Sequence, residues 1–139
     1  MTMSHPRSPH PTHPARSRRG ERGSATVQTA ILFPVLLLVV LTCIQAGVYW
    51  YCQSAALSAA QEGVRVTAAN DGTIGKGTDR ASTFLRRIAG TLIESTQVTG
   101  TRTPTEATVT VRGTTLTFIP GLPLTITATA TLPSEEYSR

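Results

Sequence analysis

AILFPVLLLVVLTCIQAGVYWYC, residues 30–52, is the stretch on which the reading of this chain turns. As a helix rising 1.5 Å per residue it covers roughly 34 Å, against a hydrocarbon core of about 30 Å. Residues 35–41 are apolar on every face, where a soluble helix would show a polar stripe. In lipid a helix also satisfies its own backbone. Outside this run the uncharged region is longer still, since residues 23–61 hold no charged side chain and no histidine. Tyr49, Trp50 and Tyr51 close the run. Rings with a polar atom settle at the headgroup level, or pack against a protein surface. Pro34, in the first third, either kinks the helix or is a harmless proline near its start.

Five arginines, at positions 7, 16, 18, 19 and 22, precede the span with only Glu21 against them. Glu62, Arg65 and Asp71 follow it without a cationic excess. By the positive-inside rule the N-terminus faces the cytoplasm and the chain beyond about Gln53 lies outside. Beyond Gln53 there are eight basic and seven acidic residues, so the net charge of +5 belongs largely to the leader. It signals orientation and gives little reason to expect a nucleic-acid partner. Within the leader, residues 1–20 mix proline with histidine, serine and arginine and have no apolar periodicity, which predicts disorder. His5, His10 and His13 have no carboxylate or cysteine nearby and make a poor metal site.

Past the aromatic cluster, Leu57, Ala60, Val64 and Ala68 keep helical spacing, predicting one helix of about 45 residues ending at Asn70, Asp71 and Gly72. Gly75 and Gly77 extend the break. A second, amphipathic helix is expected to start at a Thr78 or Asp79 cap and to bury Ala81, Phe84, Leu85, Ile88, Ala89 and Leu92. Residues 107–132 change to a period of two: Val109 and Val111, then Leu116 and Phe118, then Ile126, Ala128 and Ala130, alternating with threonine. With Arg112-Gly113 and Pro120-Gly121 as turns, these predict an antiparallel meander of about three strands covered by the second helix. The expected fold class is α+β. Its divisions are a leader over 1–23, a membrane and extended helix over 24–69, a small external domain over 70–132 and a tail over 133–139.

Cys43 and Cys52, nine positions apart on one helix, have α-carbons about 13 Å apart and cannot bond to each other. Cys52 either links two copies in an oxidising compartment or serves as a small apolar residue. Ala55, Ala59 and Gly63 recur every four residues, a ridge of small side chains that lets another helix approach, with Glu62 and Arg65 able to pair at its edge. Every histidine lies in the leader, so the region beyond the span lacks the base that a nucleophilic triad needs, and zinc ligands with it. The loop NDGTIGKGT, residues 70–78, has neither the first glycine nor the Ser or Thr after lysine of a phosphate loop. These absences predict no enzyme activity and no cofactor.

Three segments together resemble the TadE-like family, minor pilin-like proteins of bacterial tight-adherence (Flp-type) pilus systems. They are RGSATVQ at 22–28, PVLLL at 34–38, and AAQEGVR at 59–65, which is similar to the family's A-A-x-E-G-A-R signature. The resemblance implies a pilin-like helix anchored in the cytoplasmic membrane, bearing a small external domain and taking part in pilus assembly. The partners it implies are membrane lipid, other pilin-like subunits, the inner-membrane platform protein and a prepilin-type peptidase. Carried over by motif, the scissile bond is Gly23-Ser24. Gln28 then stands at the fifth position of the mature chain, where a standard pilin-like protein has glutamate. A competing expectation is a secreted soluble protein, with Ser17-Arg18-Arg19 hinting at twin-arginine export. Its apolar run would far exceed a signal peptide's h-region of about 7–15 residues, and Ala56-Leu57-Ser58 is a poor cleavage site.

Overall fold

The computed structural model describes residues 21–134, with side chains from residue 26 onward. The leader histidines at 5, 10 and 13 and the tail after Ser134 lie outside the described residues. Two compact units divide the chain, Met1–Leu36 and Leu37–Arg139. Of the first, the described part is helix, residues 21–36, and every side chain from 26 to 36 is exposed. That helix belongs to α1, Glu21–Ala68, which is continuous through Pro34.

In the second unit, residues 37–68 of α1 are followed by α2 (Ile74–Ala89) and three strands, β1 (Ile93–Arg102), β2 (Glu106–Thr115) and β3 (Leu124–Pro133). The strands form an antiparallel sheet in the order β1-β2-β3, giving the α+β class that the periodicities imply. One face is apolar, carrying Ala107, Val109 and Val111 of β2 with Ile126 and Ala128 of β3, all buried. The other face is threonine. Thr108 meets Thr131 at 2.9 Å and Thr110 meets Thr129 at 3.0 Å, hydroxyl to hydroxyl across the strands.

Four features depart from the sequence reading. First, α2 begins at Ile74, not near Thr78, because the Thr73 hydroxyl accepts the Lys76 N–H at 3.2 Å and caps the helix well ahead of Thr78. Second, the sheet is covered by α1 as well as α2. Cys52, Ala55, Ala56, Ala59 and Ala60 of α1 join Leu85 and Ala89 of α2 over Val111, Ile126 and Ala128. Val64 and Ala68 lie with Ala81, Ala107 and Val109. Alanine side chains keep the helix axis close to the sheet, where longer ones would hold it off.

Third, β1 was not expected. Its sequence, IESTQVTGTR, has little apolar alternation, and it is an exposed edge held by pairing to β2. A bulge between Glu94 and Gln97 breaks its register, with Ser95 at φ 51°, and bulges of this kind blunt an edge against pairing with foreign strands. Fourth, Arg112-Gly113 lies inside β2, and Leu116 and Phe118 lie in the β2–β3 connection, so neither is where the meander reading put it. The turn between these strands is at Pro120-Gly121, where Gly121 takes φ 83°. The β1–β2 hairpin closes instead over residues 103–105, with Thr103 N–H donating to Glu106 O at 2.8 Å and Glu106 N–H to the Thr103 hydroxyl at 3.1 Å.

Candidate functional site

The functional element is α1, and its residues fall into two environments. From Val27 to Ile44 most side chains are large, apolar and exposed, among them Ile31, Leu32, Phe33, Leu36, Leu38 and Ile44. Such apolar exposure on every face has no counterpart in a stable water-soluble helix. Within Thr26–Ala68 lies a window apolar enough to cross a membrane, with almost none of it buried by the rest of the protein. Residues 26–44 amount to roughly 28 Å of helix, close to the thickness of a hydrocarbon core of about 30 Å.

At Gln45 the environment changes. Its side chain is only 2% exposed. The amide oxygen accepts the Phe118 N–H at 2.9 Å and the amide nitrogen donates to Leu116 O at 3.4 Å. Beyond it the aromatic cluster divides. Tyr49 packs against the core, and the Tyr51 hydroxyl donates to Ile88 O at 2.6 Å. Trp50 remains 73% exposed. The outer part of the sequence-defined span, from Gln45 to Cys52, is therefore engaged by protein on one side, which displaces the fully exposed stretch toward the N-terminus.

The small-residue ridge sits inside the domain. Ala55, Ala59 and Gly63 are all buried. At Gly63 a β-carbon would lie 2.8 Å from both the Ala81 β-carbon and Gly77 O, and at Gly77 it would collide with the Thr67 hydroxyl. Two glycines thus set the crossing of α1 on α2, and Thr67 donates back to Gly63 O at 3.0 Å within that crossing. Glu62 does not turn to Arg65. Its Oε1 accepts from Arg80 Nε at 3.0 Å and Nη2 at 2.8 Å, tying α1 to α2, because Arg80 lies across the crossing on the facing helix. Arg65 is exposed in the last turn of α1.

One residue with no local sequence signal completes the arrangement. Arg102, at the end of β1, donates through Nη1 to Thr67 O, to Ala69 O at 3.0 Å and to Gly72 O. A cation is thereby placed where the helix dipole is negative and carbonyls lack partners. Its partners lie 30 to 35 residues away.

Of the residues that the resemblance assigns to processing, Gly23 and Ser24 lie in the first turns of α1 and Gln28 is exposed farther along it; Pro34, of the family motif, is exposed as well. Cys43 is exposed. Cys52 is completely buried, its thiol 3.7 Å from Leu92 O, so it is not presented to a second copy. A groove of about 300 Å³ runs between α1 and β3, bordered by Leu57, Gln61, Arg65 and Leu132. Among the described residues there is no cluster of three or more metal-binding side chains.

No curated protein and no solved structure matches the chain. A family model does: the one described as TadE-like protein matches residues 23–65, which run from the glycine ahead of the exposed apolar stretch to the arginine in the last turn of α1. The family that the sequence resembles is thus the one whose model matches, over less than a third of the chain and wholly within α1.

Proposed function

We propose that this protein is a pilin-like subunit that takes part in assembling a tight-adherence (Flp-type) pilus or a related secretion machine. It is held in the bacterial cytoplasmic membrane by residues 26–44 of α1, with the N-terminus in the cytoplasm and the α+β domain outside. The carrying observation is that the TadE-like match coincides with a helix whose first part is apolar and exposed while its second part is built into a folded domain. Other pilin-like subunits and the polytopic platform protein are its partners, and a prepilin-type peptidase acts at Gly23-Ser24. It performs no catalysis of its own; its work is anchoring, helix packing and display of the threonine-faced sheet.

The secreted alternative meets a physical objection. Removal of a signal peptide near Gln61 would take away Cys52, Ala55, Ala56, Ala59 and Ala60, all of which fill the core above the sheet. The test is the mass and N-terminal sequence of the protein recovered from cells, with its fractionation. Membrane-bound protein beginning at Ser24 is the expected result. An intact chain would remove the peptidase from the account but leave the anchor, whereas soluble protein beginning after Ala60 would overturn the assembly reading.

A further inference from the structure

The β2–β3 connection reads Leu116-Thr117-Phe118-Ile119-Pro120-Gly121-Leu122-Pro123. It is an unusual surface loop, because loops over water are normally rich in polar residues and this one has a single hydroxyl. It lies within residues 113–134, which contain no charged side chain. Phe118 and Leu122 are 47% and 46% exposed.

Some of its polar groups are turned inward. The Thr117 hydroxyl lies 3.1 Å from Ile119 O and 3.0 Å from Leu122 O. Leu122 N–H donates to Ile119 O at 3.3 Å and Leu116 N–H to Leu92 O at 2.8 Å. Phe118 N–H and Leu116 O are taken by Gln45. Half of the loop's N–H groups, those of Leu116, Phe118 and Leu122, are paired in this way, and at the depth of a lipid headgroup layer the others stay within reach of water and headgroups.

The contacts with Gln45 also fix where the loop is. Gln45 is the point at which α1 passes from exposed to buried, and residues 37–44 just before it are apolar except Thr42 and at most half-buried. The loop therefore sits beside the helix at the level where the lipid-facing stretch ends. Trp50 lies about 7.5 Å farther along the axis, within the depth of a headgroup layer. Of the three clustered aromatic rings it is the most exposed, and Tyr51 is tied by its hydroxyl to Ile88 O.

We propose that the loop over residues 116–123 is a second membrane contact: Phe118 and Leu122 enter the acyl and headgroup boundary of the outer leaflet beside α1. This rests on the membrane span proposed above. The occupant is lipid because the patch is continuous with the lipid-facing stretch of α1 and carries no charge or buried polar group that a protein partner would read.

The test uses the full chain reconstituted in phosphatidylcholine vesicles with brominated acyl chains, which quench tryptophan at acyl depth. The native protein has a single tryptophan, Trp50. A Trp50→Phe chain carrying Phe118→Trp reports on the loop, and one carrying Leu38→Trp reports on the span. Expected is strong quenching of the Leu38→Trp ring, clear quenching of the Phe118→Trp ring, and weaker quenching of native Trp50. Were the Leu38→Trp ring quenched while the Phe118→Trp ring stayed open to aqueous iodide, the span would stand and the loop contact would be overturned. A Phe118→Trp ring shielded from both quenchers would also overturn it, indicating a second copy or another protein on the loop. An unquenched Leu38→Trp ring would remove the span and the loop contact together.

Discussion

Residues 26–44 and 45–68 of α1 share one helical backbone and almost opposite side-chain logic. The first stretch is rich in Val, Leu and Ile and buries almost nothing; the second is rich in Ala, Gly and Ser and supplies much of the core. Hydrophobicity and burial are inverted relative to a soluble protein. In lipid, large apolar side chains face a solvent as apolar as themselves, and in the domain close approach of backbones matters more than side-chain size. Hydropathy alone would therefore misplace the core of this protein.

Substitutions that respect one environment and violate the other can break this contrast. The largest effect is expected from Leu85→Ala in α2, where Leu85 is among the largest fully buried side chains. It should cost the domain about 2–5 kcal/mol, read by thermal unfolding of the full chain in detergent micelles, without altering membrane association. Leu38→Arg should do the converse. Placed on the exposed stretch, it should disfavour insertion by about 2.5–3.5 kcal/mol, read by extraction of membranes at high pH, with the unfolding transition of the domain unchanged. Equal damage to both readouts from either variant would mean that the two environments are not separate.

Two glycines within the outer stretch and its partner sharpen the same point. Gly77→Ala forces a β-carbon into Thr67 and should lower stability by about 1–3 kcal/mol. Gly47→Ala meets nothing within 4 Å and should be neutral or raise stability by up to about 1 kcal/mol, through helix propensity alone. The smallest effect is expected at the crossing's edge. Glu62→Gln, which removes the charge facing Arg80, should cost below about 1 kcal/mol because the pair is partly solvated, and adding salt to the wild type should reproduce most of that loss.

Where the sequence speaks through periodicity, the fold is legible: the long helix, the apolar stripe of α2 and the alternation in β2 and β3 follow from side-chain spacing. Its silence falls on tertiary causes. β1 forms because β2 offers a paired edge, although IESTQVTGTR carries little strand pattern of its own. The start of α2 was obscured because Gly75 and Gly77 read as breakers, whereas Gly77 is glycine so that α1 can cross at close range. Leu116 and Phe118 alternate like a strand but are claimed by Gln45, more than 70 residues away. Glu62 had a plausible partner three residues off and found another 18 residues on. Such pairings are decided by the packing of elements, which local spacing does not record.

The Arg102 clamp has a mechanical consequence. In the role proposed above, a subunit anchored by one end of a helix and drawn on by its neighbours would carry load along that helix. Here one carbonyl in the last turn of α1 and two just beyond it are gathered by a side chain rooted in the β1–β2 hairpin, itself zipped to β3. Tension on the helix then acts as shear on several bonds at once, where a frayed end would let the turns peel away one by one.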